Sequence, residues 1–125
     1  MMEEKICSIE VAKLAKEKGF NEPTVRYFIN GDCKNMGISR YLYCHNDIDD
    51  DIAAPTQSLL QRWLREKKGY YVYPFFDNNE LKWTWVCREK TGDMWIPLVG
   101  ETPYFDTYEQ ALEDALKYSL ENWEY

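Results

Sequence analysis

The chain carries four cysteines and one histidine, and these are its most reactive side chains. Cys44 and His45 are neighbours, but adjacent residues on a strand point to opposite faces, so they cannot form a nucleophile–base dyad there. Cys7, Cys33, Cys44 and Cys87 contain no Cys-x-x-Cys pair, so neither a zinc knuckle nor a redox motif is written locally. A metal site drawn from Cys33, Cys44 and His45 fits zinc spacing only loosely. Asp47, Asp49 and Asp51 match positions 1, 3 and 5 of a calcium loop, yet Ile52 stands where glycine is needed and Ser58 where the bidentate glutamate is needed. Gly-x-Ser-x-Gly, Walker and His-Glu-x-x-His motifs are absent. Carboxylate pairs fall on helix faces and in turns, where solvation is sufficient reason for them. The expectation is a chain with no catalytic residues, no metal ligands and no cofactor.

The other unusual group is the aromatic one. Phe, Trp and Tyr make up 16% of the residues, and fifteen of the twenty follow residue 60. Tyr70 to Phe76 is almost entirely aromatic and could form a stacking platform. Single-strand binders set such platforms in basic grooves, and here the balance is 22 acids against 15 bases, a net charge of −7. Residues 46–61 hold four aspartates and no base, and residues 91–125 hold eight acids against Lys117 alone. Such a field repels nucleic-acid backbones. The one basic cluster, Arg62, Arg65, Lys67 and Lys68, falls at the end of a predicted helix, where it complements the dipole.

The elements that must position these residues are well punctuated. Ser8 caps a first helix with Glu10 in its first turn and Val11, Leu14 and Ala15 on one face; Gly19 and Phe20 read as its Schellman stop. Thr24 to Ile29 reads as a strand, Asn30 to Ser39 as a loop, and Arg40 to Cys44 as the returning strand of a hairpin. His45 to Ala54 is the one internal seam. A second helix follows, with Pro55 in its first turn, a stripe of Leu59, Leu60, Trp63 and Leu64, and Gly69 as its terminator.

The period then changes to 2. Tyr70 to Phe76 is a strand that Pro74 pushes toward an edge. Asp77 to Glu80 turns, and Leu81, Trp83, Trp85 and Cys87 alternate with Lys82, Thr84, Val86 and Arg88. Met94 to Leu98 reads as a third strand. The last helix opens at Asp106 or Thr107 with a capping box. Tyr108, Leu112, Ala115, Leu116, Ser119 and Trp123 lie on its apolar face, and Glu113 and Lys117 are spaced as an i,i+4 pair.

At 125 residues, 45% of them hydrophobic, the length and composition fit a single α+β domain over 1–125. Within it a subdomain 1–46 is set off from a core 54–125. The expected architecture is an antiparallel sheet, a three-stranded meander that the N-terminal hairpin extends or flanks. Two amphipathic helices cover one face, and an N-terminal helix is added. Two helices cannot bury all the rings, so the other sheet face, with Tyr71, Tyr73 and Trp95, is the candidate binding surface. A second protomer or the N-terminal hairpin would cover it. The N-terminal Met-Met-Glu-Glu-Lys has acids where an export signal has bases, and no apolar run approaches a membrane span, which reads as a cytoplasmic chain without membrane contact.

Three segments, Ser8 to Phe20, Ala54 to Lys67 and Thr107 to Lys117, resemble a family of small uncharacterised proteins from gut anaerobic bacteria and their phages or prophages. The resemblance implies a compact α+β fold, a homodimer, association with mobile elements and no established activity; no residue role comes with it. The functional expectation is a non-enzymatic protein-interaction module acting on an unidentified protein partner. The alternatives are an acidic mimic of nucleic acid built on residues 91–125, and a small-molecule-binding or enzymatic domain with a pocket near His45 or Cys87.

Overall fold

A computed structural model describes residues 5–24, 26–29, 32–35, 51–89, 94–95 and 104–122. The chain divides into two compact units, Met1–Thr56 and Gln57–Tyr125.

In the first unit, helix α1 (Ile9–Glu17) begins where Ser8 Oγ accepts the Val11 N–H at 3.3 Å. It ends in a Schellman motif. The Phe20 N–H donates to the Ala15 carbonyl (2.9 Å) and the Gly19 N–H to that of Lys16 (3.1 Å), with Gly19 at φ +93°. Strand β1 (Arg26–Ile29) pairs antiparallel with β2 (Asp32–Asn35) on one side and with β3 (Asp51–Ala53) on the other. Ala12, Phe28 and Ala54 form a small core against which Ile6, Ile9 and Ile52 pack. The Cys7 N–H donates to the Pro55 carbonyl (2.9 Å), and Ile6 bridges Thr56, which ties the unit's two ends together.

Two expectations are corrected here. The segment Asn30 to Ser39, read as loop, contains strand β2, and Asp51–Ala53, read as part of the seam, is strand β3. Asn30-Gly31 is the dipeptide that most favours a two-residue hairpin, and it separates Ile29 from its ladder partner Asp32. The expected return strand, Arg40 to Cys44, lies outside the described residues. The three strands form one sheet in the order β2-β1-β3.

The second unit opens with α2 (Gln57–Trp63), which widens into a π turn over Leu64–Lys68 and stops at Gly69, φ +77°. Pro55 lies before this helix, not in its first turn; its carbonyl is used by Cys7. Leu60, Trp63 and Leu64 are buried, while Arg62, Arg65, Glu66 and Lys67 face solvent. The Lys68 ammonium lies 5.4 Å from the Trp63 ring centroid.

Strand β4 (Tyr70–Asp77) pairs with β5 (Lys82–Glu89) through eight residue pairs. On the far side of β5 lie β6 (Met94–Trp95), opposite Arg88 and Cys87, and a bridge between Trp83 and Phe105. The expected third strand, Met94 to Leu98, is described only for its first two residues. Helix α3 (Tyr108–Asn122), capped by Thr107 Oγ1 accepting the Gln110 N–H (3.1 Å), lies across β4 and β5. Its buried stripe is Ala111, Leu112, Ala115, Leu116, Ser119 and Leu120. Tyr108, expected within the stripe, is exposed at its start, and Trp123 lies outside the described residues.

Polar contacts fix α3 on the sheet. Trp85 Nε1 donates to Asp114 Oδ2 at 2.7 Å. Gln57 Nε2 donates to the Glu109 carbonyl and to Glu113 Oε1, both at 2.9 Å. The Ser119 hydroxyl donates back to the Ala115 carbonyl (2.8 Å), which leaves it as acceptor for the Cys87 thiol at 3.3 Å. Phe76, Trp83 and Tyr108 meet edge to face, both pairs of centroids 5.4 Å apart. No helix among the described residues is long and apolar enough to cross a membrane.

Candidate functional site

The site grows out of hydrogen-bond parity in the β4–β5 hairpin. Trp83 exchanges both backbone bonds with Phe105 (2.9 and 2.8 Å), so its N–H and C=O point away from β4. Bonded and non-bonded pairs alternate in an antiparallel ladder. Tyr71, Tyr73 and Phe75 are therefore the residues bonded to β5, and Val72 and Pro74 turn their polar groups to the outer edge. Gln61 Nε2 donates to the Val72 carbonyl there (2.6 Å), and the N–H that Pro74 lacks is one the ladder does not use. The same arrangement blunts this edge against another strand.

Side chains alternate likewise. Tyr70, Val72 and Pro74 are buried beneath α3, while Tyr71, Tyr73 and Phe75 stand on the opposite face. On that face their cross-strand neighbours are Arg88, Val86 and Thr84. Carrying the Trp83–Phe105 register one residue outward sets Tyr104 beside Thr84 and Asp106 beside Lys82. Two contacts agree with it: Lys82 Nζ lies 3.2 Å from Asp106 Oδ1, and the Tyr104 hydroxyl reaches across β5 to donate to Asp77 Oδ2 at 3.3 Å. The result is a row of half-exposed rings on one face: Tyr71 38%, Tyr73 41%, Phe75 40% and Tyr104 38%. Val86 and Thr84 beneath them are buried. Thr84 Oγ1 is the one buried side-chain polar atom among the described residues with no hydrogen-bond partner.

The ends of this face differ in charge. Exposed Arg88 lies at one end. At the other, the Asp77 carboxylate accepts the N–H groups of Asn79 (2.8 Å) and Glu80 (3.3 Å), and Asp106 pairs with Lys82. The two backbone donors, Asn79 foremost, hold the Asp77 carboxyl below its ordinary value, while partial burial and then the Asp77 charge push the Tyr104 phenol up.

Tyr71 and Tyr73 thus stand together on the face where the sequence places them. Trp95, the third residue of that expectation, pairs with Cys87 on the far side of β5. Phe75 follows from the period-2 row itself. Thr84 follows from the alternation of β5, opposite Phe75; Tyr104 had no signal in sequence, because it reaches this face only through the Trp83–Phe105 bridge.

Among the other candidates, Cys7 and Cys87 are buried and not joined in a disulfide, and Cys33 lies opposite Phe28 in the first sheet. Cys44, His45 and residues 47–50 lie outside the described residues. Among those described, no three of His, Cys, Asp and Glu are grouped to hold a metal ion.

The chain matches no protein-family profile, no curated protein and no solved structure.

Proposed function

We propose that this chain is a non-enzymatic protein-interaction module whose binding surface is the ring face of Tyr71, Tyr73, Phe75 and Tyr104. One observation carries the reading: four large rings share one face of one small unit and each keeps more than a third of its surface in water. Scattered exposed apolar residues need no explanation, but a contiguous aromatic row has the composition of an interface core. Tyrosine suits the purpose, since it offers a rigid apolar ring with a polar tip at low entropic cost.

The acidic-mimic alternative is less favoured, because α3 spends its carboxylates internally. Glu113 is held by Gln57, Asp114 by Trp85, and Glu121 lies 3.9 Å from Lys117. A nucleic-acid mimic needs such groups free at phosphate-like spacing.

The test is site-specific photo-crosslinking in the native cell, with a benzophenone side chain in place of Tyr73 and, as control, in place of the exposed Glu66 on the π turn. The expected result is a discrete covalent adduct from position 73 and none from position 66. No adduct at 73, or equal adducts at both, removes the basis of the reading.

A further inference from the structure

Resting on the reading of the ring face as a protein-binding surface, we propose that its occupant is a proline-rich segment of another protein, extended as a polyproline II helix, with a basic residue where it leaves the rings. The face selects this occupant through hydrogen bonds. A polypeptide laid over rings desolvates its own backbone against groups that cannot pair with most of it. A β-strand needs a free sheet edge, and the β4 edge is obstructed by Pro74 and by Gln61 on the Val72 carbonyl. A strand lying on the face instead leaves its N–H groups unpaired. A proline-rich segment has few N–H groups to lose and keeps its carbonyls free. Between Arg88 at one end and Asp77 and Lys82 at the other, the polar side chains of the face are hydroxyls, those of Tyr71, Tyr73, Tyr104 and Thr84, and each can donate to a carbonyl.

Thr84 separates this occupant from an amphipathic helix. It lies on the ring face opposite Phe75, is only 2% exposed, and its Oγ1 has no hydrogen-bond partner. A buried hydroxyl left unpaired is a cost that one acceptor from outside removes. A helix spends its carbonyls on its own N–H groups, whereas a polyproline II segment has them free. Tyr104, beside Thr84, is held by one exposed 3.3 Å bond to Asp77, and it is the ring that turns aside to admit a carbonyl.

Length and charge complete the fit. Tyr71 to Phe75 spans about 14 Å at about 3.4 Å per residue, which about 4–5 residues of polyproline II cover at about 3.1 Å each. Two residues further along β4, Asp77 and Asp106 flank Lys82, two carboxylates to one ammonium, and Glu80 stands in the turn beyond. That excess of negative charge selects a lysine or arginine just past the prolines, and Arg88 selects against one at the opposite end.

The test is selection of a random peptide library, displayed on phage, against the intact chain, followed by the affinity of the recovered peptide for point variants. The recovered peptides should share prolines with a basic residue to one side, give the circular dichroism of polyproline II, and lose binding in Tyr73→Ser. In Thr84→Val the affinity should fall about fivefold, the worth of one neutral hydrogen bond, although removal of the unpaired hydroxyl makes the fold more stable. Thr84→Ser, which keeps the hydroxyl, should bind as the wild type does. Asp106→Asn, at a side chain 81% exposed, should weaken binding about two- to threefold and relax the choice of a basic residue. Recovered peptides that lack proline, that are helical, or that bind Tyr73→Ser or Thr84→Val as tightly as wild type overturn the inference. A library that yields nothing while the crosslinker at position 73 captures a protein also overturns it, and the interaction reading then stands. If position 73 yields no adduct, the interaction reading falls, and the proline-rich occupant with it.

Discussion

Three side chains carry local costs that substitution can relieve or expose. The Thr84 hydroxyl is buried without a partner, an arrangement whose desolvation is not repaid. Thr84→Val keeps the shape and the β-branching, and the expected outcome is a stability gain of about 1 kcal/mol in urea unfolding. Leu81 occupies the left-handed region at φ +56° at the tip of the β4–β5 turn, with 72% of its surface exposed. Neither conformation nor environment suits leucine, and Leu81→Asn should raise stability by about 1 kcal/mol in the same measurement. Asp77 is a pH-dependent element of that turn. Its folded-state pKa lies below the ordinary 3.8, so its contribution is complete above that value and is lost as pH falls through the folded-state value. In Asp77→Asn this part of the acid dependence should vanish, which the difference between the two acid-unfolding curves records.

At the scale of elements, caps and parity decide most of what is seen. Gly19 holds φ +93°, and a Cβ there would meet nothing within 4 Å, so any penalty in Gly19→Ala comes from the backbone alone. The expected loss is about 1 kcal/mol, confined to the end of α1, with the Phe20 and Gly19 amides exchanging faster. α3 is held to β5 by a different kind of bond. Trp85→Phe retains most of the ring but removes the donor to Asp114, and should cost about 1–3 kcal/mol by leaving the half-buried carboxylate without its donor. The i,i+4 spacing of Glu113 and Lys117 was readable beforehand. The binding of Glu113 by Gln57 was not, because those residues lie 56 positions apart.

At the scale of the whole molecule, each of the two units has its own set of buried apolar residues. That of Met1–Thr56 centres on Ala12, Phe28 and Ala54. That of Gln57–Tyr125 includes Leu60, Leu64, Val72, Trp85, Leu112 and Leu116, all buried. Leu116→Ala should open a cavity costing about 2–5 kcal/mol, seen as lost amide protection across β4, β5 and α3. The ring face belongs to this larger unit. The helices cover one side of the hairpin, and the arithmetic of rings against available cover, which already points in the sequence to an uncovered side, agrees with four half-exposed rings on the other.

Read alone, the residues determined whatever depends on near neighbours. The Ser8 cap, the Gly19 and Gly69 stops, the Thr107 cap and the alternation of β4 and β5 all follow from hydrogen bonds or side-chain periods spanning a few positions. Tertiary structure decided which strand found which. Strand β2 took one edge of β1, β3 took the other, and Phe105 docked beside Trp83. Those are choices among many similar edges, made by closing loops and burying faces far apart in the chain. They carried Tyr104 onto the ring face, because a strand's register, once chosen, assigns every side chain on it to one side of the sheet.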